Sequence, residues 1–189
     1  NITVLAGNVC TYHGLLDLAN SGADIVKVGV GPGAACITRM MTGFGVPQFS
    51  AIQDCKKAKD DFEGQSGKKV HPPPPPRPTH PKDGVLALAA GADAVMMGFI
   101  FAKTFESAAP KHEYAQKVYG RYRGQASTEF MNEFFEGKKK RQAEGVAFDV
   151  EISKSAKDVF EEFEGGLRSA LTYCGTDNLT EFRSNVEFF

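Results

Sequence analysis

The segment GADIVKVGVGPGAACITRMMTG, residues 22–43, poses the fold question most sharply. Residues 24 to 28 form a short β-branched run that passes straight into glycines, as expected of a strand buried in a parallel sheet. Gly29, Gly31 and Gly33 then make a G-x-G-x-G loop. Its backbone amides are free to turn toward an anion, or only to make a tight turn, and the spacing is not that of the dinucleotide fingerprint. Cys36 and Thr38 follow two places apart. A lone cysteine among apolar neighbours commonly acts as a small buried hydrophobe. At the mouth of a parallel sheet, with Thr38 and Arg39 alongside, the same thiol is placed to act as a nucleophile. Thr38 equally suits a helix N-cap, because a helical stretch begins there.

Working outward, the pattern of apolar run, turn and helical stretch recurs. ITVLAGN (2–8) leads into HGLLDLANSGA (13–23), the quoted segment leads into PQFSAIQDCKKAKDDF (47–62), and DGVLALAAGA (83–92) feeds DAVMMG (93–98). Strands alternating with helices define an α/β chain. A repeat of roughly 22 to 40 residues suits the units of a (β/α)8 barrel and those of a doubly wound sheet alike. Both architectures gather ligands at the C-terminal ends of their strands, which puts Asn8, the 31–38 loop and Gly98 on one rim. Residues 113–145 are polar, charged and punctuated by glycine, and read as a long excursion over that rim. AKDVFEEFEGGLRSALTYCG (156–175) reads as a helix with Val159, Phe160, Phe163, Leu167 and Leu171 at three- and four-residue intervals, and NLTEFRSN (178–185) as a final short one. The tract HPPPPPRPTHP (71–81) cannot supply ladder donors at its prolines, although the repeat calls for a central strand there.

With 189 residues, 42% of them hydrophobic, the chain is long enough for one domain with a sizeable core. Its 22 basic and 23 acidic side chains give no overall attraction to nucleic acid or an anionic membrane, and the short basic run at 138–141 reads as solvated surface. No stretch reaches the roughly 20 apolar residues of a membrane span and no signal-peptide order is present, so a cytoplasmic location is expected. Cys10, Cys36, Cys55 and Cys174 are too scattered for a zinc site or a redox dithiol and read as free thiols.

Five pieces, AGNVCT (6–11), residues 22–52, LALAAGADAVMMG (86–98), YRGQAS (122–127) and GGLRSALTYCG (165–175), together resemble the IMP dehydrogenase and GMP reductase family, in order and with similar spacing. The resemblance implies the C-terminal half of a (β/α)8 barrel in one partial domain over 1–189. Its βα units would span 1–104, a flap and nucleotide-binding excursion 105–150, and C-terminal helices 151–189. It implies that Cys36 attacks C2 of a purine nucleoside monophosphate to give a thioimidate, with Thr38 and Glu144 handling protons. It places Asn8 by the purine and Gly33 and Ala34 in the nucleotide loop. Gly98 and Tyr122 would lie at the phosphate, Gly124 and Gln125 along the base. The backbone of Gly31, Gly33 and Cys36 would hold a monovalent cation such as potassium. A homo-oligomer, a tetramer in the family, is implied as well.

Within the family, a dehydrogenase hydrolyses the thioimidate with an Arg-Tyr pair on the flap, whereas a reductase handles ammonia. Residues 127–145 carry no Arg-Tyr pair and do carry Glu144. The resemblance therefore points to reductive deamination of GMP to IMP with NADPH, the alternative being oxidation of IMP to XMP with NAD. A third reading is a catalytically silent remnant that binds a nucleotide or serves in assembly. It arises because Pro75 stands where the family has a ribose-binding aspartate and Pro76 and Arg77 replace two glycines, while Ala34 and Phe99 replace serines. Without that carboxylate the ribose hydroxyls lose a partner, a cost of roughly a hundredfold in affinity.

Overall fold

A computed structural model describes residues 2–72, 80–135 and 142–189 of the chain. The proline tract from 73 to 79, with Pro75, Pro76 and Arg77, lies outside the described residues, as does the basic run 138–141. The first strand, β1 (Leu5–Val9), runs into α1 (Tyr12–Asn20), whose N-terminus is capped by Thr11 Oγ1 accepting the Gly14 N–H. β2 (Ile25–Val28) returns parallel to β1 with Leu5 opposite Ile25. These are the first two predicted strands, joined by the predicted helix.

After β2 come the short α2 (Thr38–Thr42) and the long α3 (Gln48–Ser66). Val26 and Val28 on β2, Leu15 and Ala19 on α1, and Ala51, Cys55, Ala58 and Phe62 on α3 close into one apolar core. The three- and four-residue spacing of the α3 positions explains why that face turns inward. α3 ends at Gly67, whose φ of 67° is the left-handed stop that glycine accepts without penalty.

Val70, fully buried, brings the chain back beside β2, and the backbone of His71 donates to Asp24 O at 3.0 Å and accepts from Val26 N at 2.9 Å. A third parallel position therefore starts where the repeat requires it, at the doorstep of the proline tract. α4 (Pro81–Ala89) follows, with Pro81 at its first turn. Residues 94–98, expected as a strand after α4, form none, and the short α5 (Phe99–Ala102) begins directly behind them. A strand exists only against a ladder partner. Among the described residues, 94–98 have no ladder partner.

The excursion has its own architecture. β3 (Lys111–Tyr114), β4 (Lys117–Arg123) and β5 (Ala147–Glu151) form an antiparallel sheet in that order, and α6 (Thr128–Phe134) separates β4 from β5. α7 (Ala156–Tyr173) opens on a capping box between Ser155 and Asp158, then packs along α4. α8 (Leu179–Asn185) is braced by Arg183, which donates from Nε to Leu88 O at 3.0 Å and from a terminal nitrogen to Ala92 O at 2.5 Å. Among the described residues no helix is long and apolar enough to cross a membrane.

Candidate active site around Cys36

The C-terminal end of β2 is fixed by three side chains from different parts of the chain. Gln48 Nε2 donates to Val28 O, Asn8 Nδ2 to Gly29 O and Arg39 Nε to Val30 O, each at 3.0 Å. Arg39 also donates to Val46 O at 2.5 Å, so its guanidinium ties the glycine loop to the segment that enters α3. Gly31 and Gly45, both at positive φ, lie against the Arg39 side chain, where an added Cβ would fall within 2.5 and 2.4 Å of it. Arg39 is thus a brace for the loop, rather than the nearby charge on Cys36 that its sequence position suggests. Asn8, expected beside the purine, is oriented by the one amide N–H it donates to Gly29.

Past this anchor the chain turns at Gly33, whose carbonyl accepts the Cys36 N–H at 3.0 Å. Cys36 is half-buried, and its thiol donates to Thr38 Oγ1 at 3.2 Å. The residue at the cap of α2 is Ile37, with no side-chain bond, so Thr38 is the first residue inside the helix and its hydroxyl serves the thiol. The N-cap reading of Thr38 is therefore not met, since Ile37 holds that position.

Glu144 reaches the same loop through its backbone, where its carbonyl accepts the Ile37 N–H at 2.8 Å and its own N–H donates to Ala126 O at 3.1 Å. Gly124 lies so near the cysteine loop that a Cβ on it would stand 3.2 Å from the Ala35 carbonyl oxygen. Cys36, Thr38, Gly124 and Glu144, spread over more than a hundred positions, are therefore brought together. Gln125 beside them is exposed and Ala34 half-buried.

Gly98 and Tyr122 meet at a ring cluster, Gly98 through its neighbour Phe99. Gly98 precedes α5, and Tyr122 packs edge-on against Phe99 (5.3 Å between ring centres) and Phe148 (5.6 Å). Burial pushes the Tyr122 phenol above its ordinary pKa, so it stays neutral. Beside these rings opens a cleft of about 420 Å³ lined by Phe99, Phe148 and Ser153, with Lys103 Nζ 4.6 Å above the Phe99 face. Among the described residues no group of three or more histidine, cysteine or carboxylate side chains is arranged to hold a metal.

Sequence reasoning missed Gln48, Arg39 as a brace, and Gly145. For Arg39 a signal was available, a long donor side chain a few residues past the glycine loop, whereas Gln48 reaches Val28 O from twenty positions away and carried none. For Gly145 there was none, because its role lies in backbone pairing.

The fold and the site define an α/β chain with a thiol on a glycine loop at the C-terminal end of a parallel strand. The family model described as "IMP dehydrogenase / GMP reductase domain" matches residues 1–189, and the chain belongs to that family of oxidoreductases. Among similar proteins, the inosine-5'-monophosphate dehydrogenase of Chlorobaculum tepidum is 37% identical over 99% of this chain and 39% of its own length. Proteins of the same name from Halalkalibacterium halodurans (34% identical, 100% of this chain, 39% of the relative) and Nitrosopumilus maritimus (36%, 98% and 40%) are similar too. The chain thus spans about two-fifths of the length of these relatives.

Proposed function

We propose that the chain carries the thiol-bearing part of a purine-nucleotide oxidoreductase, in which Cys36 forms a covalent bond to C2 of a nucleoside monophosphate. The observation that carries this reading is the half-buried Cys36 thiol hydrogen-bonded to Thr38 on a loop anchored at the end of β2. The sulfur is held and reachable, and its neighbour is a hydroxyl able to pass a proton. The parallel pair β1 and β2, with His71 beginning a third position, supports the C-terminal half of a (β/α)8 barrel as the architecture. Asn8, Gly33, Ala34, Gly98, Tyr122, Gly124 and Gln125 are the proposed nucleotide contacts, and a homotetramer is the proposed assembly.

The names of the relatives favour the dehydrogenase direction, IMP to XMP with NAD. Cys36 Sγ adds to C2 of the hypoxanthine and its proton is taken up by the site. The oxidised nicotinamide, when bound, would supply the acceptor for the C2 hydride, and water adding to C2 would break the carbon–sulfur bond and restore the thiol. A second reading, GMP to IMP with NADPH, is favoured by the missing Arg-Tyr pair in 127–145 and by the presence of Glu144 there. There Sγ adds to C2 of guanine and ammonia departs with a proton from the site; the reduced nicotinamide would supply the hydride that C2 takes up before sulfur leaves.

A monovalent cation fits the donor set. The Gly33 carbonyl uses one lone pair on the Cys36 N–H and keeps a second, and the Gly31 and Cys36 carbonyls complete the proposed ligands. The ion would supply a fixed positive charge that orders the loop.

Purified protein mixed with IMP and NAD, and separately with GMP and NADPH, tests the reading by the absorbance of reduced nicotinamide. A gain with the first pair selects the dehydrogenase and a loss with the second the reductase. Binding without turnover selects the silent remnant. Turnover that survives Cys36→Ser would overturn the mechanism.

A further inference from the structure

We infer that residues 144–146 act as a short central strand that positions Cys36, with Gly145 as the positioning residue; the link to catalysis rests on the function proposed above. On one side Val146 N–H donates to Ala35 O at 2.9 Å and Glu144 O accepts from Ile37 N–H at 2.8 Å, so Gly145 pairs antiparallel with Cys36 itself. On the other side Gly145 N–H donates to Ala126 O at 3.1 Å, and Gly145 pairs in parallel with Ser127. Gly124 N–H closes the arrangement on Val146 O at 3.1 Å. The cysteine loop is not self-supporting. The peptide groups flanking Cys36, at Ala35 and Ile37, are both held by residues more than a hundred positions away.

Room explains the glycine. Gly145 is buried, and a Cβ on it would stand 3.0 Å from Ser127 N, 3.1 Å from Ala126 C and 3.2 Å from Ala35 O. All three are backbone atoms, so no side-chain rotation relieves the contact and the strands must part. Gly124 meets the same Ala35 carbonyl from its own side, at 3.2 Å. Ser127, 1% exposed, fixes the far strand by accepting the Phe130 N–H at 3.2 Å and so cannot easily yield. A methyl group at either glycine is therefore transmitted to the segment that carries the thiol.

The test needs no substrate, so its failure is separable from failure of the proposed function. The full chain is alkylated under native conditions, and each cysteine is followed by peptide mass spectrometry in the wild type, Gly145→Ala and Gly124→Ala. Gly64→Ala and Gly165→Ala serve as controls, because a Cβ at those sites meets nothing within 4 Å. Cys55, buried in the core, reports any global opening. The expected result is that Cys36 reacts on the order of tenfold faster in both site variants, while Cys55 stays protected and the controls match the wild type. Unchanged Cys36 reactivity in both variants would overturn the inference. So would a parallel rise at Cys55, which would make Gly145 a residue of general stability. Where turnover is present, kcat normalised to the folded fraction should fall in Gly145→Ala more than KM rises; the normalisation removes a loss of stability, which lowers only the active fraction.

Discussion

Cys36 and Cys55 are nineteen positions apart and sit in opposite surroundings. Cys55 is enclosed by α1, β2 and α3, with burial and then the neighbouring Asp54 pushing its pKa up to about 12. Cys36 stands on the open loop with Thr38 as its partner. Two predictions belong here. Thr38→Val, which keeps the shape and removes the hydroxyl, should lower kcat by about tenfold to a hundredfold, whereas Cys36→Ser should cost on the order of a thousandfold or more. Steady-state rates decide both. For Cys55, folded and unfolded chains are alike below the ordinary thiol value of 9.0, since both are protonated. Above it the unfolded chain ionises and the folded one does not, so this contribution to stability is lost as pH climbs toward about 12. Denaturation midpoints across that window should fall more steeply for the wild type than for Cys55→Ala. Parallel slopes would contradict the assignment.

At the scale of elements, the contact between α4 and α7 depends on two glycines. A Cβ on Gly84 would fall 2.2 Å from the Phe163 ring, and one on Gly166 would fall 2.7 Å from Pro81. Gly84→Leu should therefore destabilise the chain by about 1–3 kcal/mol or more through overpacking, measured by urea unfolding. Ser155→Ala removes the hydroxyl that accepts the Asp158 N–H and leaves the Ser155 N–H donating to the Asp158 carboxylate. It should lower the thermal midpoint by a few degrees.

The long helices were legible in the sequence because their buried faces recur at helical spacing, as at Ala51, Cys55, Ala58 and Phe62, whereas the short α5 and α6 were not. The sheet of β3, β4 and β5 was not. Its central strand carries Arg121 and Arg123, paired at the surface with Glu129, Asp149 and Glu133, and has Gly120 at its centre, so no apolar run marks it. In the site, Cys36 and Thr38 could be found from their spacing and loop. The joining of Glu144 and Gly124 to them could not, because backbone pairing leaves no side-chain signature.

Across the whole molecule, large apolar groups stay uncovered. Met40 is 84% exposed, Phe44 75% and Tyr173 89%, while Leu5 is exposed on β1, whose only described strand partner is β2. Exposed apolar surface beside an open strand edge favours association. Light scattering after size exclusion should report a mass above that of the 20.4 kDa chain, and a clean monomer would contradict this.

The central claim is a carbon–sulfur bond between Cys36 and a purine. Acid quenching of the protein during incubation with GMP and NADPH, or with IMP and NAD, followed by peptide mass spectrometry, tests it directly. The account predicts nucleotide mass on the peptide containing Cys36 and on no other cysteine. Turnover with Cys36 never modified, or label found instead at Cys10 or Cys174, would contradict it.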